Sequence, residues 1–236
     1  MRRISRIAWG RNKRSADFVP NEDLGRFEVD NWELSNIVLN SIVPAVGVHP
    51  FPLNELMLLS GAVVRFKPRH ILEWGTHIGK SARAFYETAA AVGLVLVIHS
   101  IDLPNDMDHV EHPGSARGKL VRGLTNVILH QGDGLDTSLQ ILGTLEGDEQ
   151  LGSTSLFFVD GDHSFNSVKR ELSNIMMSAP KAKILLHDTF YQEEGSHYNV
   201  GPYRAIGECM RESPDKYHRI DSATGLPGMT LLYPAL

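Results

Sequence analysis

Cys209 is the only cysteine in this 236-residue chain. An internal disulfide framework and a cysteine-rich zinc site are therefore excluded, and a reducing, cytoplasmic location is the expectation. No run of 18 apolar residues occurs, so no membrane-spanning helix is expected. A basic excess is also missing. The 23 Lys+Arg stand against 28 Asp+Glu, a net charge of −5, which does not suggest a nucleic-acid binder. Compositional bias is absent as well. Gly (21) and Pro (12) are near average, and 42% hydrophobic residues exceed what a disordered chain carries. The length suits one α/β domain, alone or with an N-terminal extension.

Charge is spread unevenly. Arg2, Arg3, Arg6, Arg11, Lys13 and Arg14 lie in residues 1–14 with no acid among them, so the remainder is more acidic than the total suggests. The apolar stretch Ile7-Ala8-Trp9 is too short for a secretory leader. This segment reads as a solvated tail, or as an arm for an anionic partner or a neighbouring subunit.

Residues 15–67 have a helical texture without a catalytic signature. Asp30-Asn31 can cap a helix with Trp32, Leu34, Ile37, Val38 and Ile42 on its apolar side, and Pro44 should end it. Asn54 can cap a second helix holding Leu56, Leu59, Val63 and Phe66, which stops before Pro68. Packing is the simplest role for this extension. A substrate cover, or a contact between copies in a homo-oligomer, are the others.

Residues 68–236 change texture. Apolar runs recur at His70–Trp74, Leu94–Ile101, Asn126–His130, Ser155–Asp160 and Lys183–His187, with helical patterns between them. Runs apolar on both faces suit a parallel sheet buried under helices. Phe165, Val168, Leu172, Ile175 and Met176 repeat at helical spacing, and another helix after Gly201 turns Cys209 inward. Tyr217–Asp221 and Gly228–Tyr233 flank a Gly/Pro turn and read as a hairpin. The expected fold is α/β: a Rossmann-like, doubly wound, mostly parallel seven-stranded sheet with a C-terminal antiparallel hairpin.

Open parallel sheets bind ligands at the carboxyl ends of their strands. Those ends carry Glu73, Asp102, Asp133, Asp160 with His163, and His187 with Asp188. Unpaired charges at buried strand ends cost several kcal/mol, so their recurrence points to a ligand site.

Three chemistries compete for the first turn, Glu73-Trp74-Gly75-Thr76-His77-Ile78-Gly79-Lys80-Ser81. A P-loop needs four residues between its first Gly and the Gly-Lys pair, and here there are three. A dinucleotide turn needs Gly where His77 stands. The remaining pattern, E-x-G-x-x-x-G over Ile71–Gly79, resembles the first motif of class I S-adenosylmethionine-dependent methyltransferases. The resemblance implies that Gly75, Thr76, Gly79 and Ser81 approach the methionine part of S-adenosyl-L-methionine and that Glu73 organises its polar atoms. It further implies that Asp102 accepts the ribose hydroxyls and Asp133 the adenine amino group, with Asp160 bordering the same cofactor.

Phe158-Val159-Asp160-Gly161-Asp162-His163-Ser164-Phe165, followed by Leu186-His187-Asp188-Thr189, resembles metal-dependent O-methyltransferases of sugars and natural products and the cephalosporin-hydroxylase-like proteins. The resemblance covers roughly residues 68–233. It implies a small-molecule hydroxyl acceptor, Asp160 and Asp188 as ligands of a divalent metal (Mg²⁺ or Mn²⁺), and His163 as general base. His187 stands where the family usually has a carboxylate. Imidazole suits softer ions than Mg²⁺, so His187 is a candidate metal ligand, a substrate contact or a packing residue.

Blander roles are expected elsewhere. Asp162 caps a helix with Ser164, and His77 is a surface or cofactor-rim residue. Asp106, Asp108, His109, Glu111 and His112 form a solvated loop, while Tyr191–Tyr203 suits a lid over the acceptor. Two other functions fit the same fold: a hydroxylase or oxygenase-like enzyme, and a non-catalytic S-adenosylmethionine-binding module.

Overall fold

The computed structural model describes residues 26–104, 106–107, 114–196 and 198–235. The basic segment 1–14, and Asp108, His109, Glu111 and His112 of the acidic loop, lie outside them. Asp30 opens the first helix, α1 (Asn31–Ile37), by accepting the Trp32 and Glu33 N–H groups at 3.0 and 3.1 Å. Pro44 does not end the helical path. The chain widens into a π turn over Val38–Ile42 and continues as α2 (Val43–Val46), stopping at Gly47 with φ 75°. Proline lacks the N–H an α turn needs, and the wider hydrogen-bond step of the π turn passes around that gap. Trp32 is 76% exposed, while Leu34, Ile37, Val38 and Ile42 are buried. Residues two apart on a helix do not share a face, so Trp32 cannot follow Leu34 inward.

The next helix, α3 (Leu53–Phe66), opens at Pro52 rather than at Asn54. Asn54 lies inside the first turn and donates to Ser222 Oγ at 2.8 Å. A proline at a helix start sacrifices a donor that has no partner there anyway.

Seven strands follow: β1 (His70–Trp74), β2 (Val97–Asp102), β3 (Val127–Gln131), β4 (Ser155–Val159), β5 (Lys183–His187), β6 (Tyr217–Ser222) and β7 (Met229–Pro234). Their order is β3-β2-β1-β4-β5-β7-β6. The first five run parallel, and β7 pairs antiparallel with both β5 and β6, so the hairpin closes the sheet as expected. Helices α4 (Lys80–Val92), α5 (Gly134–Gly143), α6 (Phe165–Ser178) and α7 (Gly201–Glu212) connect them.

Side-chain alternation divides the interior into two cores. Phe158, Leu185 and Leu231 face Leu56, Leu59 and Phe85 from α3 and α4. Phe157, Ile184 and Leu232 face Val168, Leu172 and Ile206 from α6 and α7. At β3 the expectation of burial on both faces fails. This edge strand has a single neighbour, and Ile128 and Leu129 are exposed. The order reverses between β1 and β4, which opens the crevice above their carboxyl ends. No helix among the described residues is long and apolar enough to cross a membrane.

Candidate active site

The Glu73–Ser81 turn leads from β1 into α4. Gly75 has φ +90°, and a Cβ there would overlap the carbonyl oxygen of Asp160. The close approach of two strand ends therefore requires glycine. Glu73 is fully buried. Its carboxylate accepts from Ser100 Oγ at 2.5 Å and from Ser81 Oγ, fastening the turn to β2 and to the start of α4. Burial pushes its pKa up to about 7, against the lowering effect of the two hydroxyls. Thr76 Oγ1 lies 2.7 Å from Ser100 Oγ, completing a buried hydroxyl chain beneath the turn.

Asp102, at the end of β2, accepts the His77 and Leu103 N–H groups at 3.0 and 2.7 Å. Arg117 Nε approaches it at 3.4 Å and reaches the Leu103 carbonyl with a second nitrogen. Nothing in the sequence of its loop sets this buried arginine apart from a solvated cation. Asp133 follows β3. It opens α5 by accepting the Asp136 N–H at 2.9 Å and pairs with Arg170 at 3.2 Å on the surface.

The ends of β4 and β5 bring the remaining candidates together. Asp160 Oδ1 lies 3.1 Å from His187 Nδ1, and Asp188 Oδ2 lies 3.5 Å from the same nitrogen. His163 Nε2 sits 3.4 Å from both Asp160 Oδ1 and Asp188 Oδ2, without hydrogen-bond geometry to either. The Asp160 and Asp188 side chains keep 16% and 22% of their surface, so one side of the cluster is open. Asp188 holds a left-handed backbone with φ 54°, a conformation that costs a non-glycine residue on the order of 1–3 kcal/mol. Tyr198 donates to Asp188 Oδ1 at 2.6 Å, tying the expected lid segment to the site.

The electrostatics follow from this crowding. Burial alone would lower His187, but the charge and hydrogen bond of Asp160, with Asp188 and Glu55, raise the imidazole well above its ordinary value. His163 is raised as well, because the carboxylates of Asp160 and Asp188 outweigh its desolvation. Burial would raise Asp188. His187, and then Tyr198, reverse that and hold it at about 2.

Asp160, His187 and Asp188 offer ligand atoms that all lie within 4.8 Å of one another. Two carboxylates and one imidazole around a shared opening fit a divalent cation, and the buried His163 Nε2 that lacks a hydrogen-bond partner faces the same point. Asp162 stands apart from this set. It accepts from the Ser164 N–H at 2.8 Å, and Ser164 caps α6, as expected. Beside this turn opens a cavity of about 950 Å³, bordered by Asp162, Asn199, Tyr203, Arg204 and Arg219.

Glu55, like Arg117, is a residue the sequence did not reveal. It enters from α3, fully buried, with Oε2 3.0 Å from His187 Nε2 and Oε1 accepting the Gly228 N–H at 2.7 Å. Its one sequence signal is an acid at helical spacing from Leu58, Leu59 and Ala62, inside the apolar stripe.

The profile of a family described as "Methyltransferase domain" matches residues 72–189. An uncharacterised protein of Sinorhizobium fredii is 29% identical over 151 residues, which take in 62% of this chain but 16% of that protein. Among solved structures, the Bacillus cereus O-methyltransferase in complex with SAH is 16% identical, with 87% of this chain and 92% of that chain covered at a TM-score of 0.55. TomG of Streptomyces achromogenes, an O-methyltransferase of tomaymycin synthesis in complex with SAM, is 19% identical. The match covers 89% of this chain and 92% of that chain at a TM-score of 0.54. At these identities the likeness speaks for the fold.

Proposed function

Because this chain belongs to the methyltransferase-domain family, we propose that it transfers the methyl group of S-adenosyl-L-methionine to a hydroxyl of a small molecule, with a divalent cation assisting. The observation that carries this reading is the open cluster of Asp160, His163, His187 and Asp188, set against the Gly75 turn. The two solved relatives named above, held with SAM or its product, support the choice of cofactor.

In this reading Gly75, Thr76, Gly79 and Ser81 border the methionine part of the cofactor. Asp102 accepts from the ribose diol, and Asp133 from the adenine amino group. Asp160 and Asp188 would offer oxygens to a cation and His187 a nitrogen, a donor set that would favour Mn²⁺ over Mg²⁺. A cation bound there would lower the pKa of the acceptor hydroxyl. His163 takes the hydroxyl proton. The acceptor oxygen attacks the methyl carbon, the sulfur–methyl bond breaks, and S-adenosylhomocysteine leaves with the electron pair on sulfur. Tyr198 and the segment around it border the acceptor.

Asp160→Asn and Asp188→Asn each remove a charge from the cluster while keeping the shape. Turnover with a hydroxylated acceptor should fall by at least about 10²-fold, the usual reach of removing a transition-state electrostatic contact. Calorimetry should find S-adenosylhomocysteine bound within about threefold of the parent affinity. Full activity of both variants, or of the parent in EDTA, would refute the metal-assisted route.

A further inference from the structure

Glu55 is a fully buried carboxylate with two donors facing it. Gly228 presents a backbone N–H, which can only donate, to Oε1 at 2.7 Å. The other oxygen lies 3.0 Å from His187 Nε2. A carboxylate oxygen opposite an unprotonated imidazole nitrogen would set two lone pairs against each other in a buried site, so Nε2 carries a hydrogen and donates. The opposite nitrogen, Nδ1, points at Asp160 Oδ1 and Asp188 Oδ2. The edge of Phe51 meets the imidazole at a centroid distance of 4.8 Å and Phe158 lies at 6.5 Å, so the ring cannot turn over without displacing buried aromatics.

We propose that Glu55 is the positioning residue of the metal centre, fixing His187 through Nε2–H so that Nδ1 is the nitrogen offered to the cation. This rests on the metal-assisted reading given above. A carboxylate behind a ligating imidazole orients the ring and raises its basicity, and removing such a partner commonly weakens metal binding by about 10- to 100-fold. The assignment gives the helical segment before the sheet a definite part in the site. α3 supplies the carboxylate, and the same side chain clamps the turn between β6 and β7, where Gly228 has φ +83° and a Cβ would overlap Phe190.

Glu55→Gln keeps the volume but replaces one acceptor oxygen with a donor, leaving either Gly228 or His187 without its partner. Mn²⁺ titrations should show the dissociation constant rising about 10- to 100-fold, with circular dichroism and S-adenosylhomocysteine affinity unchanged. Two-bond ¹H–¹⁵N correlation spectra of the ¹⁵N-histidine-labelled parent protein with Zn²⁺ supply a test independent of any variant. They should show hydrogen retained on His187 Nε2 and the metal-induced shift on Nδ1. Parent-like Mn²⁺ affinity in folded E55Q would overturn the assignment, as would equal loss of Mn²⁺ and S-adenosylhomocysteine affinity, or a metal on Nε2. A parent protein that binds no Mn²⁺ would overturn the metal-assisted reading itself, and this assignment with it.

Discussion

Protonation at the strand ends is governed by how many charges share a small volume. Without metal, Asp160 and Asp188 are acids facing two imidazoles, and both His163 and His187 are raised above their ordinary value. A raised folded pKa contributes stability that is fully present below the unfolded value of about 6.5 and is lost as pH rises through the folded value. Glu73 acts in the same direction. Buried and held at about 7, it favours the folded state while neutral and loses that contribution as pH climbs from its unfolded value toward 7. The melting temperature in EDTA should therefore fall between pH 6 and 8.5. Saturating Mn²⁺ should flatten the decline, because the cation replaces the protons that the cluster otherwise holds. A melting temperature that stays level in EDTA across this range would contradict the assigned shifts. At the acid end the sign reverses. Asp188, held at about 2, contributes stability above its unfolded value that disappears as pH drops toward 2.

At the level of elements, the strands were legible because buried parallel strands must be apolar on both faces. His70–Trp74 and Lys183–His187 appear with the bounds their apolar runs suggest. β3 broke the rule as an edge strand, because apolar content alone does not tell an edge from a centre. The helices before the sheet were less legible. The π turn ahead of Pro44 depends on register, which no residue type announces, and Trp32 owes its exposure to its offset from Leu34. The turn after β1 was read from its glycines, and Gly75 earns its place sterically. Gly75→Ala would force a Cβ against the Asp160 carbonyl at φ +90°. The expected cost is at least about 2 kcal/mol of stability, read from the chemical-denaturation midpoint, together with loss of S-adenosylhomocysteine binding. A fully stable Gly75→Ala protein would show that the β1 and β4 ends do not pack this closely.

Across the whole molecule, the site is assembled from distant parts of the chain. Asp160, His163, His187 and Asp188 could be found by listing strand ends, since the sheet topology predicts where those ends meet. Glu55 could not, because 132 residues separate it from His187 and an acid in the first turn of a helix has an ordinary local reason to be there. Only the packing of α3 against the hairpin shows that its carboxylate faces inward. The extension before the sheet is thus built into the surroundings of the Asp160–His187–Asp188 cluster through α3, Phe51 and Glu55. The most direct test of the account is a crystal structure of the protein with S-adenosylhomocysteine and Mn²⁺, with manganese located by anomalous scattering. The account predicts the product along the Glu73–Ser81 turn, with its ribose at Asp102, and the manganese peak among Asp160, Asp188 and His187 Nδ1. An empty turn, or manganese bound away from these three side chains, would contradict it.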